Sequence, residues 1–153
     1  MIGVIIASHG RLSEELLASA ETIVGKLAQV RTVCISCKDA ETPSEAIGRR
    51  VDELDQGQGV LVLVDLFGGS PSQAACALLH DKRVEVISGV NLPMLVKLAT
   101  LRTDDGPGLE ELSRILTAYG QKNVVLASEL VRSYTAASGA AAAGSGATAS
   151  KGS

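Results

Sequence analysis

His9 is one of only two histidines in a chain of 153 residues. It follows the apolar run Ile2-Gly3-Val4-Ile5-Ile6-Ala7 and Ser8, and it precedes Gly10-Arg11. An imidazole just past a buried strand, beside a glycine that lets the backbone approach a ligand closely, is a candidate nucleophile. Asp65 stands just past a second apolar run, Val60-Leu61-Val62-Leu63-Val64. A carboxylate that holds one ring nitrogen of a histidine fixes the tautomer and leaves the other nitrogen free to attack. It also stabilises the positive charge that develops on the ring. Gly68-Gly69-Ser70-Pro71 reads as a helix start whose free N–H groups suit an anion such as phosphate. Imidazole, carboxylate and anion cradle together point to phosphoryl transfer, a reaction governed mainly by positioning and charge stabilisation.

Each of these residues also has an ordinary reading: a packed histidine, a turn-capping aspartate, a capped helix start. His80, at an expected helix end, is read in that ordinary way, as an imidazole favoured by the helix C-terminus. Other chemistries lack their signatures. Neither a phosphate-binding G-x-x-x-x-G-K-[ST] loop nor a G-x-G-x-x-G fingerprint after the first strand is present. A receiver domain would need an acidic pair after its first strand to hold a metal, and Ala7, Ser8 and His9 stand there. A G-x-S-x-G nucleophile elbow does not fit Gly68-Gly69-Ser70-Pro71-Ser72. Cys34 and Cys37 form a C-x-x-C, but it closes an apparent strand instead of opening a helix. With Cys76 as the third cysteine, no second pair completes a zinc site. No metal and no organic cofactor is expected.

The elements that must position these residues are legible from periodicity. Ile2–Ala7, Val30–Ile35, Val60–Val64, Val84–Ile87 and Asn123–Ala127 read as five strands, most of them apolar throughout. Leu16, Leu17, Ala20, Ile23, Val24 and Leu27 share one face of a first helix. Thr42-Pro43-Ser44-Glu45 is a capping box opening a second, with Ile47, Val51 and Leu54 inward. Ser70-Pro71-Ser72-Gln73 reads as another capping box, for a helix to about Leu79. Asn91 caps a helix from Leu92 to about Leu101, and Leu109, Leu112, Ile115, Leu116 and Tyr119 mark a further helix. Strands alternating with helices imply an α/β domain: a doubly wound, mainly parallel central sheet of about four to five strands with helices on both faces. Ligands of such sheets bind at the carboxyl ends of the strands. His9, Asp65 and the segment Ser88-Gly89-Val90-Asn91-Leu92-Pro93 all fall at that edge.

A net charge of −3 gives no basic stripe for nucleic acid. Hydrophobic residues make up 46% of the chain and aromatics 2%, so the core must be aliphatic. No apolar run approaches the ~20 residues of a membrane span, and the start lacks the basic region of a signal peptide. A soluble, cytoplasmic protein is expected. Residues 133–153 are Ala, Gly, Ser or Thr apart from Tyr134 and Lys151. They read as a disordered tail after a folded domain spanning 1–132.

Ile6-Ala7-Ser8-His9-Gly10, Val64-Asp65-Leu66-Phe67-Gly68-Gly69-Ser70-Pro71 and Gly89-Val90-Asn91-Leu92-Pro93-Met94-Leu95 occur in this order, each at a strand end. Over about residues 1–130 the chain resembles the IIA component of the mannose/fructose/sorbose family of the bacterial phosphotransferase system. The resemblance implies a phosphotransferase with a phosphohistidine intermediate. His9 would receive phosphate from the phosphocarrier HPr and pass it to a IIB component, and Asp65 would hydrogen-bond that histidine. Ser70 and the amides around Gly68 and Gly69 would flank the phosphoryl group, and Phe67 would stand near the mouth of the site. It further implies a homodimer in which a C-terminal strand, here near Val124–Ala127, completes the partner's sheet. The membrane would be met only indirectly, through a permease complex. Gln73 stands where the family often has Asn and can still serve the cap. No IIB segment follows residue 132, so the acceptor would be a separate chain. Two functions fit that arrangement: a carrier for sugar transport, or a regulatory sensor of phosphorylation state that binds a protein partner without moving sugar.

Overall fold

The computed structural model describes residues 1–36, 40–80 and 83–146, the stretch 142–146 as backbone alone. Four strands, β1 (Gly3–His9), β2 (Val30–Ile35), β3 (Val60–Val64) and β4 (Val84–Ser88), form one sheet. The helices are α1 (Leu12–Val24), α2 (Pro43–Leu54), α3 (Ser70–Cys76), α4 (Leu92–Leu101), α5 (Leu109–Lys122) and α6 (Ala127–Gly146). Every pairing is parallel and the strand order is β2-β1-β3-β4, the doubly wound arrangement expected from the alternation of elements. The winding reverses between β1 and β3. Their carboxyl ends lie side by side, Ala7 level with Val64, which makes this the switch point of the sheet.

The central strands β1 and β3 are apolar along nearly their whole length because both of their faces are covered. Val4 and Ile6 of β1, with Leu61 and Leu63 of β3, pack beneath α1, α4 and α5 against Ala20, Leu95, Leu98, Leu112 and Leu116. Their neighbours Ile5, Ala7, Val60, Val62 and Val64 face the other way, against Ile47, Val51 and Leu54 of α2 and Ala74 and Ala75 of α3. Successive residues point to opposite faces, so a strand between two helical layers buries both sets of side chains, and Ser8 near the end of β1 is buried with its hydroxyl hydrogen-bonded. The inward residues foreseen for α2 are 0–2% exposed. Its capping box is complete: Thr42 accepts from the Glu45 amide, and the Glu45 carboxylate accepts from the Thr42 amide. In α1 the expected face is only partly buried. Ala20 is enclosed and Leu16 and Leu17 pack against the core, but Ile23 is 60% exposed near the helix end.

The chain divides into two units, Met1–Gln121 and the stretch from Lys122 onward. The first closes at Gln121, ahead of the expected boundary at 132. Two expectations for the second change. Asn123–Ala127 is not a fifth strand: Val124, Val125 and Leu126 form no ladder and are 78%, 56% and 62% exposed. A β-rich composition makes a strand only where a sheet edge receives it. Residues 133–146, expected to be disordered, are helical as part of α6. Alanine has the highest intrinsic helix propensity, and here it prevails over the scattered glycines. Residues 147–153 of that expected tail, like Cys37, lie outside the described residues. Among the described residues no helix is long and apolar enough to cross a membrane.

Candidate functional site

His9 ends β1 and Asp65 follows β3, so the parallel pairing of these adjacent strands brings two residues 56 positions apart into contact. The Asp65 carboxylate accepts three hydrogen bonds. Oδ2 takes the His9 backbone N–H at 2.9 Å and ring Nδ1 at 2.8 Å, and Oδ1 takes the Leu66 amide at 2.9 Å. Burial pushes the Asp65 carboxyl upward, but the His9 amide, the His9 ring and the Leu66 amide outweigh it and hold it below its ordinary value. The group is therefore ionised at neutral pH. An ionised carboxylate only accepts, so in the neutral ring Nδ1 carries the proton and Nε2 keeps its lone pair.

Nε2 has no hydrogen-bond partner among the described residues, and the His9 side chain is 48% exposed while that of Asp65 is 9% exposed. The imidazole is thus anchored from behind and open in front. Gly10, at φ +55°, turns the chain from β1 into α1 directly after it. Ser8, fully buried, secures the turn from below by accepting the Ser13 amide of α1 at 2.7 Å.

The Gly68–Ser70 turn lies against the ring. A Cβ on Gly69 would stand 2.7 Å from His9 Cε1 and 3.2 Å from Nε2, so any side chain there would displace the ring. The helix start differs from the expected capping box. The N-cap of α3 is Gly69, Ser70 is the first helical residue, and no side chain caps it. Gln73 donates its amide to the Gly69 carbonyl, which moves the helix register one residue earlier. The amides of Gly69 and Ser70 consequently have no acceptor among the described residues. They are unspent N–H donors beside the ring.

Ser72 was foreseen only as a member of the capping box. The residue is 2% exposed, and its hydroxyl accepts the Gly68 amide at 2.8 Å and donates to the Gly69 carbonyl at 3.0 Å. Gln73 Nε2 holds the Gly68 carbonyl at 3.2 Å. Leu66 and Phe67, 53% and 78% exposed, flank the turn on the solvent side. The Ser88–Pro93 segment reaches the same edge through Gly89 and Val90, whose amides donate to the Val64 carbonyl. His80 is exposed, in the turn after α3. Among the described residues no group of His, Cys, Asp and Glu side chains could hold a metal ion.

Fold and geometry define an α/β protein that presents an aspartate-tethered, half-exposed imidazole at the switch point of a parallel sheet. The model of the family described as the PTS system fructose IIA component matches residues 3–115. The fructose-specific EIIA component of Bacillus subtilis is 32% identical over 131 residues, 84% of this chain and 88% of that protein. The mannose-specific EIIAB component of Escherichia coli K12 is 39% identical over 125 residues, 80% of this chain. The chain spans 38% of that longer relative. The mannose/sorbose specific IIA subunit from Enterococcus faecalis superposes with a TM-score of 0.72 at 32% identity, covering 82% of this chain and 93% of that one. The chain belongs to the mannose/fructose/sorbose IIA family of the phosphotransferase system.

Proposed function

We propose that this chain is a cytoplasmic phosphoryl carrier that accepts phosphate from phospho-HPr on His9 Nε2 and passes it to a IIB component. The observation that carries the reading is the 2.8 Å bond from Nδ1 to Asp65, which places the lone pair of the neutral ring on the solvent-facing Nε2. In the forward step the Nε2 lone pair attacks phosphorus, and the bond to the donor breaks with its electron pair staying on the donor. The ring becomes cationic, and Asp65, already hydrogen-bonded to Nδ1–H, offsets that charge. The free Gly69 and Ser70 amides, with Gly68 shaping the turn, are suited to the phosphoryl oxygens. Transfer onward repeats the step with the ring as leaving group.

An exposed ring flanked by Leu66 and Phe67 suits a protein donor that covers the apolar rim as it delivers its phosphate. The Bacillus subtilis relative, matched over most of its length, carries the name of an EIIA component alone. That is consistent with a IIB acceptor on a separate chain. A homodimer is part of the same reading. Among the described residues β4 pairs only with β3, and exposed Val124–Leu126 supply the β-branched and apolar residues that a partner's sheet edge would take.

The test is incubation with HPr and its phosphoryl donor system, followed by mass analysis. Wild-type protein should gain one acid-labile phosphate, and His9→Ala none. Equal labelling of the two would sink the proposal.

A further inference from the structure

The Gly68–Gly69 turn lies against the ring, and two glycines in succession leave its backbone free to take many shapes. Gly68 sits at φ +90°, Gly69 returns to extended geometry at φ −80°, and both belong to the loop before α3. What fixes the turn comes from the helix that follows it. The buried Ser72 hydroxyl bridges the Gly68 N–H and the Gly69 C=O, and the Gln73 carboxamide takes the Gly68 C=O. The Gly69 carbonyl already accepts the Gln73 amide at 3.0 Å, so α3 does not need the hydroxyl in order to start. The Gly68 amide, by contrast, has no other acceptor among the described residues. The hydroxyl is therefore bonded to the turn more than to the helix.

We propose that Ser72 is a positioning residue for phosphoryl transfer: its hydroxyl locks the Gly68–Gly69 turn and so sets where His9 Nε2 and the Gly69 and Ser70 amides stand. The inference rests on the phosphoryl-carrier reading of His9. Its physical basis is the tight fit between Gly69 and the ring, in which a small drift of the turn either pushes the imidazole or withdraws the donors from the phosphoryl oxygens. Misplacement by about 1 Å can cost a reaction ~10²-fold, and a partial loosening correspondingly less.

The experiment compares wild type, Ser72→Ala and Ser72→Thr with two donors: phospho-HPr, and phosphoramidate as a small donor that needs no docking surface. Ser72→Ala should lower kcat from phospho-HPr about tenfold with KM unchanged, and slow labelling by phosphoramidate by the same factor. The proton resonance of His9 Cε1–H should shift, and Ser72→Thr, which keeps the hydroxyl, should restore the rate. Wild-type rates for Ser72→Ala with both donors would overturn the proposal. So would slowing through KM for phospho-HPr alone, which would place Ser72 in docking. Should Ser72→Ala fail to fold, the threonine variant decides: a wild-type rate supports the role of the hydroxyl, and a tenfold loss refutes it. Failure of wild type to take phosphate from either donor would instead strike the carrier reading itself.

Discussion

Two of the helices that begin at the carboxyl edge of the sheet, α3 and α4, begin in opposite ways. Both follow a glycine-containing turn and both carry proline in their first turn. At α4 the N-cap is Asn91, whose side chain accepts the Met94 amide at 3.1 Å and donates to the Gly120 carbonyl at 3.2 Å. That start is closed, its polar groups spent on its own helix and on α5. At α3 the N-cap is Gly69, which has no side chain to spend, and the first amides are left free beside His9. A helix start closed by its own cap contributes stability, whereas one left open beside a nucleophile contributes binding. The contrast separates a structural turn from a functional one within a single edge of a single sheet.

The largest effect expected from this contrast falls on the group that tethers the ring. Asp65 accepts three N–H groups, and asparagine can accept with one atom only. With the NH₂ in the Oδ1 place it faces the Leu66 N–H, and with it in the Oδ2 place it faces both N–H groups of His9. The ring is freed to protonate Nε2 and point its lone pair the wrong way, and no carboxylate remains to offset the cation. Asp65→Asn should fold and transfer phosphate up to ~10⁴-fold more slowly, in line with the cost of losing the tautomer in other His–Asp pairs. Nitrogen NMR of the ring reads the tautomer directly, and an unchanged transfer rate would remove Asp65 from its role. The pH dependence follows from sign. The folded-state carboxyl lies below its ordinary value of 3.8, so its stabilising contribution is present above that value and is lost as pH falls through the lower folded value. The difference in melting temperature between wild type and Asp65→Asn should accordingly shrink in acid.

A smaller effect is expected at the open turn. Gly69 has ordinary extended backbone angles, so alanine carries no conformational strain there. Its methyl group would meet His9 Cε1 at 2.7 Å, and the half-exposed ring is free to swing aside. Gly69→Ala should therefore keep its melting temperature within a few degrees and lose ~10²-fold in transfer rate. Stability falling together with activity would show that the turn is structural, as at α4, and would erase the distinction between the two helix starts.

The two starts also differ in how well the sequence predicts them. Asn91 and the helix Leu92–Leu101 are legible because an N-cap side chain, a proline and an apolar period all point to the same boundary. The same agreement makes Thr42–Glu45 and the strand Val60–Val64 legible. Ser70-Pro71-Ser72-Gln73 carries the residue types of a cap one position out of register, because local pattern does not contain the ring that Gly69 must accommodate. His9 and Asp65 are legible as strand-end residues, while their contact depends on strand order. Ser72 could not be found from pattern, since its partners are backbone atoms of a turn whose shape is fixed only in three dimensions. Beyond Gln121 the reading fails for a related reason. Val124–Leu126 have strand composition without a receiving edge, and alanine-rich 133–146 has helix propensity that a low-complexity reading discounts.

The smallest effect, and the control on the whole contrast, lies at the closed start. Asn91→Ala removes the acceptor of the Met94 amide and the donor to Gly120, in a region where Gly120 packs directly against Met94. An N-cap asparagine lost to alanine costs about 1 kcal/mol. Denaturant unfolding should show that loss with an unchanged slope. Met94 lies in the core layer beneath α1, α4 and α5, whereas the His9 ring is held by Asp65 and the Gly69 turn. Phosphate transfer by folded Asn91→Ala should therefore run at the wild-type rate. A transfer defect comparable to that of Gly69→Ala would mean that the Ser88–Pro93 segment shares in the chemistry, and that the edge holds one continuous site in place of a functional turn beside a structural one.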